Sequence, residues 1–124
     1  EILPEFELRT LKAVQTICGI RDERFVTWFD ALDYMCERAL EIDFDVAIIG
    51  CGAYGMPLAS KLKNAGKQAI HLGGATQLLF GIKGNRWENG YPTKIATFFN
   101  DAWVRASAEE TPQNAYTVER GCYW

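Results

Sequence analysis

Val46, Ala47, Ile48 and Ile49 form an unbroken apolar run, and Gly50-Cys51-Gly52-Ala53-Tyr54-Gly55 follows it directly. No other feature constrains the fold of this chain as tightly. A continuous apolar run ending at a glycine is the pattern of a strand buried on both faces of a parallel sheet. Leu58, Ala59 and Leu62 then mark a helix that ends at Gly66, with Pro57 in its first turn, where a missing N–H costs nothing. Gln68 to Leu72 is a second short apolar strand, ending in Gly73-Gly74. Strand, helix and strand within about thirty residues make a βαβ unit whose crossover should be right-handed.

The Gly50-x-Gly52-x-x-Gly55 spacing, after a strand and before a helix, matches the turn that holds phosphate in dinucleotide-binding folds. The first glycine would permit the tight turn. The second would let a phosphate approach the backbone without meeting a Cβ. The third would let helix and strand pack closely. The helix N-terminus adds unpaired N–H groups and a partial positive charge, worth about 0.3–1 kcal/mol per charge. The expected fold class is therefore α/β: a Rossmann-like βαβ unit between about Asp45 and Gly74 with flanking helices. Gly50, Cys51, Gly52, Ala53, Tyr54 and Gly55 are ligand-binding candidates. The competing reading is a tight strand-to-helix turn with no ligand.

A nicotinamide site normally has Asp or Glu at the end of the second strand, about 20 residues on, to hold the ribose hydroxyls. Ile70, His71, Leu72, Gly73 and Gly74 stand there instead. The expected ligand is thus a nucleoside diphosphate or nucleotide-sugar rather than NAD. His71, Gly73 and Gly74 fall at the carboxyl edge, where open α/β sheets bind ligands. His71 is a candidate catalytic base, as a residue type suited to proton transfer near neutral pH. A packing role is as good a reading. Asp43-Phe44-Asp45 has the D-x-D form of a metal–diphosphate motif, but it precedes the first strand, at the wrong edge, and reads as a solvated strand start.

Lys83, Arg86, Trp87 and Glu88 lie in a polar loop from Lys83 to Pro92. The cations could clamp a diphosphate, Arg in bidentate fashion, and Trp87 could stack on a base or sugar. Glu88 is the second catalytic candidate. A solvated surface loop is the plain alternative.

Elsewhere the pattern is helical. Leu8, Leu11, Val14 and Cys18 predict an amphipathic helix over Pro4 to Ile17, ended by Gly19. Phe25, Trp28, Phe29, Leu32, Met35, Cys36, Ala39 and Leu40 fill one stripe of a helix from about Glu23 to Glu41, with Asp22 as N-cap. A short helix is expected over Ala75 to Ile82. Another, capped by Thr93, is expected through Ile95, Phe98, Phe99, Ala102 and Trp103. Residues 107–124 read as an irregular tail, with an edge strand near Tyr116 to Val118.

The 124 residues fit one domain, and the net charge of −3 gives no general pull toward nucleic acid or anionic membrane. No apolar run approaches the roughly 20 residues of a membrane-spanning helix. Cys18, Cys36, Cys51 and Cys122 form no C-x-x-C pair, so a metal site is not expected, and the thiols read as reduced in a cytoplasmic protein. The residues point to no particular cofactor. Buried parallel strands need neighbours on both sides. Two strands therefore imply an incomplete sheet, to be completed by a preceding segment of a longer protein or by a homodimer partner.

The runs Asp45-Val-Ala-Ile-Ile-Gly-Cys-Gly-Ala-Tyr-Gly-Met-Pro-Leu-Ala, Gly66-Lys-Gln-Ala-Ile-His-Leu-Gly-Gly and Phe80-Gly-Ile-Lys-Gly-Asn-Arg-Trp, with the closing Gly121-Cys-Tyr-Trp, resemble uncharacterised bacterial proteins of cell-surface polysaccharide clusters. The βαβ pattern is also similar to the C-terminal half of the GT-D type of glycosyltransferase. These resemblances imply a role in surface-glycan synthesis, with residues 50 to 55 and His71 to Gly74 near a nucleotide-sugar donor. The D-x-E motif of the GT-D type has no counterpart here, so no metal or catalytic residue is carried over. The enzymatic reading stands beside two others: a non-catalytic nucleotide-binding module, and a purely structural domain.

Overall fold

The computed structural model describes residues 3–90 and 94–124. The chain is mixed α/β and divides into two units. One runs up to Gln15 and again from Arg21 to Thr76; the other takes Thr16–Ile20 and Gln77–Trp124.

In the first unit, helix α1 spans Trp28–Leu40. It starts later than the apolar stripe suggests because the cap is Thr27, not Asp22. The Asp30 backbone N–H donates to Thr27 Oγ1 (3.2 Å), and the Thr27 N–H donates to Asp30 Oδ2 (2.7 Å), a reciprocal capping box. Asp22 is engaged elsewhere, taking the Arg24 guanidinium at 2.6 and 2.9 Å. Ala31, Leu32, Met35 and Ala39 form the buried face of α1, while Phe29 and Leu40 stay exposed.

Strands β1 (Val46–Ile49) and β2 (Gln68–His71) pair in parallel, Val46 with Gln68 through Ile49 with His71. A 3₁₀ turn, Gly52–Tyr54, runs straight into helix α2 (Gly55–Asn64), which forms the crossover. Ile49, Tyr54, Leu58, Ala59 and Leu62 close the core against α1, with Ala47 and Ala69 packed beside them. Strand alternation puts Ala47, Ile49, Ala69 and His71 on the helix-covered face. The other face carries Val46, Ile48, Gln68 and Ile70, of which Val46 and Ile70 are 44% and 52% exposed. Each fully buried Met35 or Leu62 side chain contributes about 1.5–3 kcal/mol. Among the described residues the sheet has only these two strands.

The helix expected over Pro4 to Ile17 does not form. Residues 4–13 are an exposed arm with neither helix nor strand. Only Val14 reaches the core, where its N–H meets Met35 Sδ at 3.3 Å. A helix that short is marginal in water unless it buries a face, and Leu8 and Leu11 bury none. Cys18 and Gly19 make a left-handed turn (φ 61° and 78°) rather than a helix end.

In the second unit, helix α3 (Thr76–Leu79) begins on the boundary and is one turn long, shorter than the expected Ala75 to Ile82. The expected polar loop contains a π-helical turn, Arg86–Gly90. The helix expected through Ile95 to Trp103 is a 3₁₀ turn, Ile95–Phe98. Its break has a local cause: Asn100 Oδ1 accepts from the Ala102 N–H (3.0 Å), and Asn100 O accepts from the Trp103 N–H. Its proposed cap, Thr93, and the loop end at Pro92 lie outside the described residues. Tyr116 to Val118 is no edge strand, since Ala115–Thr117 is a 3₁₀ turn. The tail is irregular yet anchored. The N–H groups of Asn85 and Arg86 donate to Trp124 O and Cys122 O, and Gln77 Nε2 donates to Tyr123 O at 2.8 Å.

Among the described residues, no helix is long and apolar enough to cross a membrane.

Candidate functional site: two glycine turns at the carboxyl edge

Both strands of the first unit end in a glycine turn at the same edge of the sheet. After β1 the chain passes through Gly50 and Cys51 to Gly52, which is left-handed (φ 56°) and opens the 3₁₀ turn into α2. After β2 it passes through Leu72 to Gly73, also left-handed (φ 59°), which opens a second 3₁₀ turn, Gly73–Ala75, into α3. The Leu72 N–H donates to Ile49 O (3.0 Å), so the pairing runs up to the turns.

Two of the three glycines of the first turn do different work from that expected. Gly50 does not make the turn; it makes room. A Cβ there would stand 2.7 Å from Thr76 Oγ1, 2.8 Å from Thr76 Cβ and 3.1 Å from Gly73 O. Gly52 makes the turn, and a Cβ on it would meet nothing within 4 Å. Gly55 has the expected packing role, but its partner is a side chain. A Cβ on Gly55 would overlap Nδ1 and Cε1 of His71, with Cγ 3.2 Å away.

His71 therefore lies between the two turns. Its Nδ1 faces Gly55, and its Cε1 and Nε2 lie 3.9 Å from where a Gly73 Cβ would be. His71 Nδ1 and Thr76 Oγ1 are the two side-chain polar atoms among the described residues that are buried without a hydrogen-bond partner. Unpartnered buried polar atoms cost about 1–3 kcal/mol each, so in a native fold they call for an explanation. Thr76 was not among the residues singled out from sequence. Only the parallel register brings it against Gly50, and no local pattern announces that.

Gly50, Gly52 and Ala53 are exposed, and Gly73 and Gly74 partly so. The N–H groups of Gly52 and Ala53 sit in the first helical turn, where no intrahelical acceptor exists, and no other acceptor is found for them among the described residues. Tyr54 is different: it is 4% exposed and stacked flat on Trp28, centroids 4.5 Å apart. Its ring belongs to the core. Cys51 is half-buried against the core, and that burial pushes its thiol above the ordinary range.

Lys83, Arg86, Trp87 and Glu88 fall in the second unit, where each has an internal partner. Arg86 pairs with Glu119, lies 4.8 Å over the Tyr123 ring and donates to Cys122 Sγ at 3.4 Å. Glu88 pairs with Arg105. Trp87 is buried, and its Nε1 donates to Gln77 Oε1 at 3.0 Å. Lys83 Nζ lies 5.8 Å over the Phe99 ring. Sequence order alone could not show these pairings, because the partners Glu119 and Cys122 lie 33 and 36 residues from Arg86.

Asp43 and Asp45 precede β1, at the edge opposite the glycine turns. Among the described residues, no group of three or more His, Cys, Asp or Glu is placed to hold a metal ion. Comparison with protein-family models, with curated proteins and with solved structures finds no match to this chain.

Proposed function

We propose that the paired glycine turns of the first unit bind the phosphate of a nucleoside diphosphate or nucleotide-sugar. One observation carries this reading. At the edge of the sheet where ligands bind in open α/β folds, exposed backbone N–H groups without acceptors stand beside two buried side-chain atoms without partners. An anion there would gain the helix N-terminus and donors from the turn. The end of β2 carries His71, Leu72 and Gly73 with no acid, which favours diphosphates over NAD.

His71 suits the role of donor better than that of base. Protonating Nδ1 would bury an N–H facing Gly55 with no acceptor. The neutral tautomer that avoids this carries its hydrogen on Nε2, the nitrogen nearer Gly73, where it could donate to a phosphate oxygen. This reading gives Glu88 no part in the chemistry.

In its fullest form, the unit is the Rossmann-like donor-binding half of a cytoplasmic glycosyltransferase-like protein of surface-glycan synthesis. That extension rests on the resemblance of the Asp45–Ala59, Gly66–Gly74 and Phe80–Trp87 runs. A structural role is favoured by a different observation. Gly50 makes room for Thr76, Gly52 for the turn and Gly55 for His71, so packing alone accounts for all three.

A thermal-shift panel separates the readings. A ligand at a hundred times its Kd stabilises by about 2.7 kcal/mol. Nucleoside diphosphates and nucleotide-sugars should raise the melting temperature, and NAD should not. A shift with NAD alone contradicts the ligand class, and no shift with any phosphate ligand favours the structural reading.

A further inference from the structure

The first unit contains both a sheet with free edges and an exposed segment with strand-like patterning but no secondary structure of its own. Residues 4–13 form neither helix nor strand and are exposed throughout. Among the described residues, no backbone group of residues 4–11 bonds to another backbone group. The sequence of the segment alternates as that of a half-buried strand does: Phe6 and Leu8, 52% and 55% exposed, with the Glu7–Arg9 ion pair at the positions between and after them. In strand geometry eight residues would span about 26 Å, twice what a four-residue strand needs. At its root the arm is pinned by Val14, which is 6% exposed against Met35.

The sheet offers the complementary deficit. Among the described residues each strand has one hydrogen-bonded neighbour, leaving an unpaired edge on each. Neither edge carries a proline, lysine or acid: β1 reads Val-Ala-Ile-Ile and β2 reads Gln-Ala-Ile-His. Of the two, β2 is the more open, with Gln68 and Ile70 exposed. The uncovered face beside it carries Val46, Ile48 and Ile70, an apolar surface of a kind that sheets of this class normally bury.

We infer that the arm of one copy adds as a strand to the β2 edge of a second copy, and that the reciprocal exchange makes a twofold dimer. Strand addition supplies the arm's main-chain groups with partners, and alternate side chains supply the specificity. Phe6 and Leu8 then extend the apolar strip of Ile48 and Ile70, while Glu7 and Arg9 face away from it. The occupant is a second copy because the unpaired segment and the unpaired edge belong to the same chain, so exchange satisfies both at once.

Sedimentation equilibrium across a hundredfold concentration range tests this on the whole chain. The parent should show a reversible monomer–dimer equilibrium. Leu8→Asp should abolish the dimer, because it puts a carboxylate on the apolar side of the added strand. Phe6→Asp and Ile70→Glu should do the same from either side of the contact. All three positions are exposed, so the far-ultraviolet circular dichroism of each dilute variant should match the parent. A parent that stays monomeric overturns the inference, including the case of an arm that folds back on its own sheet. A dimer that survives Leu8→Asp, or that is lost with the arm variants but not with Ile70→Glu, overturns it as well.

Discussion

The imidazole of His71 rests on the α-carbon of Gly55, leaving no space for even a methyl group between strand β2 and helix α2. This contact fixes how the crossover helix sits on the sheet, and it buries Nδ1 without a partner. Gly55→Ala is therefore expected to destabilise the protein by about 1–3 kcal/mol, the range for overpacking a close contact. His71→Ala should restore part of the loss, because it removes the ring that the new methyl meets. Chemical denaturation of the parent, both single variants and the double variant gives the coupling energy. Additive losses would show that the two residues do not press on each other.

Gly52 fails differently from Gly55. It has a positive φ but open space around its α-carbon. Gly52→Ala should cost roughly 1 kcal/mol of backbone strain with no clash. Gly52→Asn should cost less, since Asn tolerates the left-handed region. Urea midpoints decide between them. Equal stability of all three proteins would mean that the turn does not depend on this conformation. Because strain and ligand approach coincide here, loss of binding in a Gly52 variant has to be judged at matched stability.

Thr27→Ala should cost about 1 kcal/mol through loss of the cap on α1. Asp30→Ala should show a similar but non-additive loss, since each side chain caps the other's backbone. Unchanged denaturation midpoints would place the start of α1 elsewhere.

Burial pushes the thiols of Cys36, Cys51 and Cys122 above the ordinary 9.0. A thiol raised in the folded state gives up its proton first in the unfolded chain as pH climbs. The stability it lends is complete below about pH 9 and falls as pH passes upward through the folded value. Urea midpoints should thus drop from pH 8.5 to pH 10, and less steeply in Cys51→Ala. A midpoint that rises over this interval, or a slope indifferent to the substitution, would contradict the burial of these groups.

The βαβ unit was legible because its signals are local. The Val46–Ile49 run, the glycines and the Leu58-Ala59-Leu62 spacing each act within one element, and Ile49, Leu58, Ala59 and Leu62 pack as expected. But the run is not buried on both faces, because only one face of the two-stranded sheet is covered and Val46 stays 44% exposed. Leu8, Leu11 and Val14 carried the same helical spacing into a segment with nothing to cover it, so the period had no energetic meaning. Phe98, Phe99 and Trp103 fall on one stripe by their spacing, but the Asn100 turn intervenes. In the site, residues 50 to 55 and His71 were visible as types at an edge. The contacts of Gly50 with Thr76 and of Gly55 with His71 depend on the parallel register, which no local pattern encodes. The partners of Arg86 and Glu88 were hidden for the same reason, lying in the irregular tail and on Arg105.

The central claim is that the two glycine turns form one phosphate site. Its most direct test is a ¹H–¹⁵N correlation titration of the whole labelled chain with uridine diphosphate, with uridine as the control. Saturable shifts gathered on the amides of Cys51 to Gly55 and of His71 to Thr76, absent with uridine, are the expected result. No saturable shift with the diphosphate, or shifts that spare both turns, would contradict it.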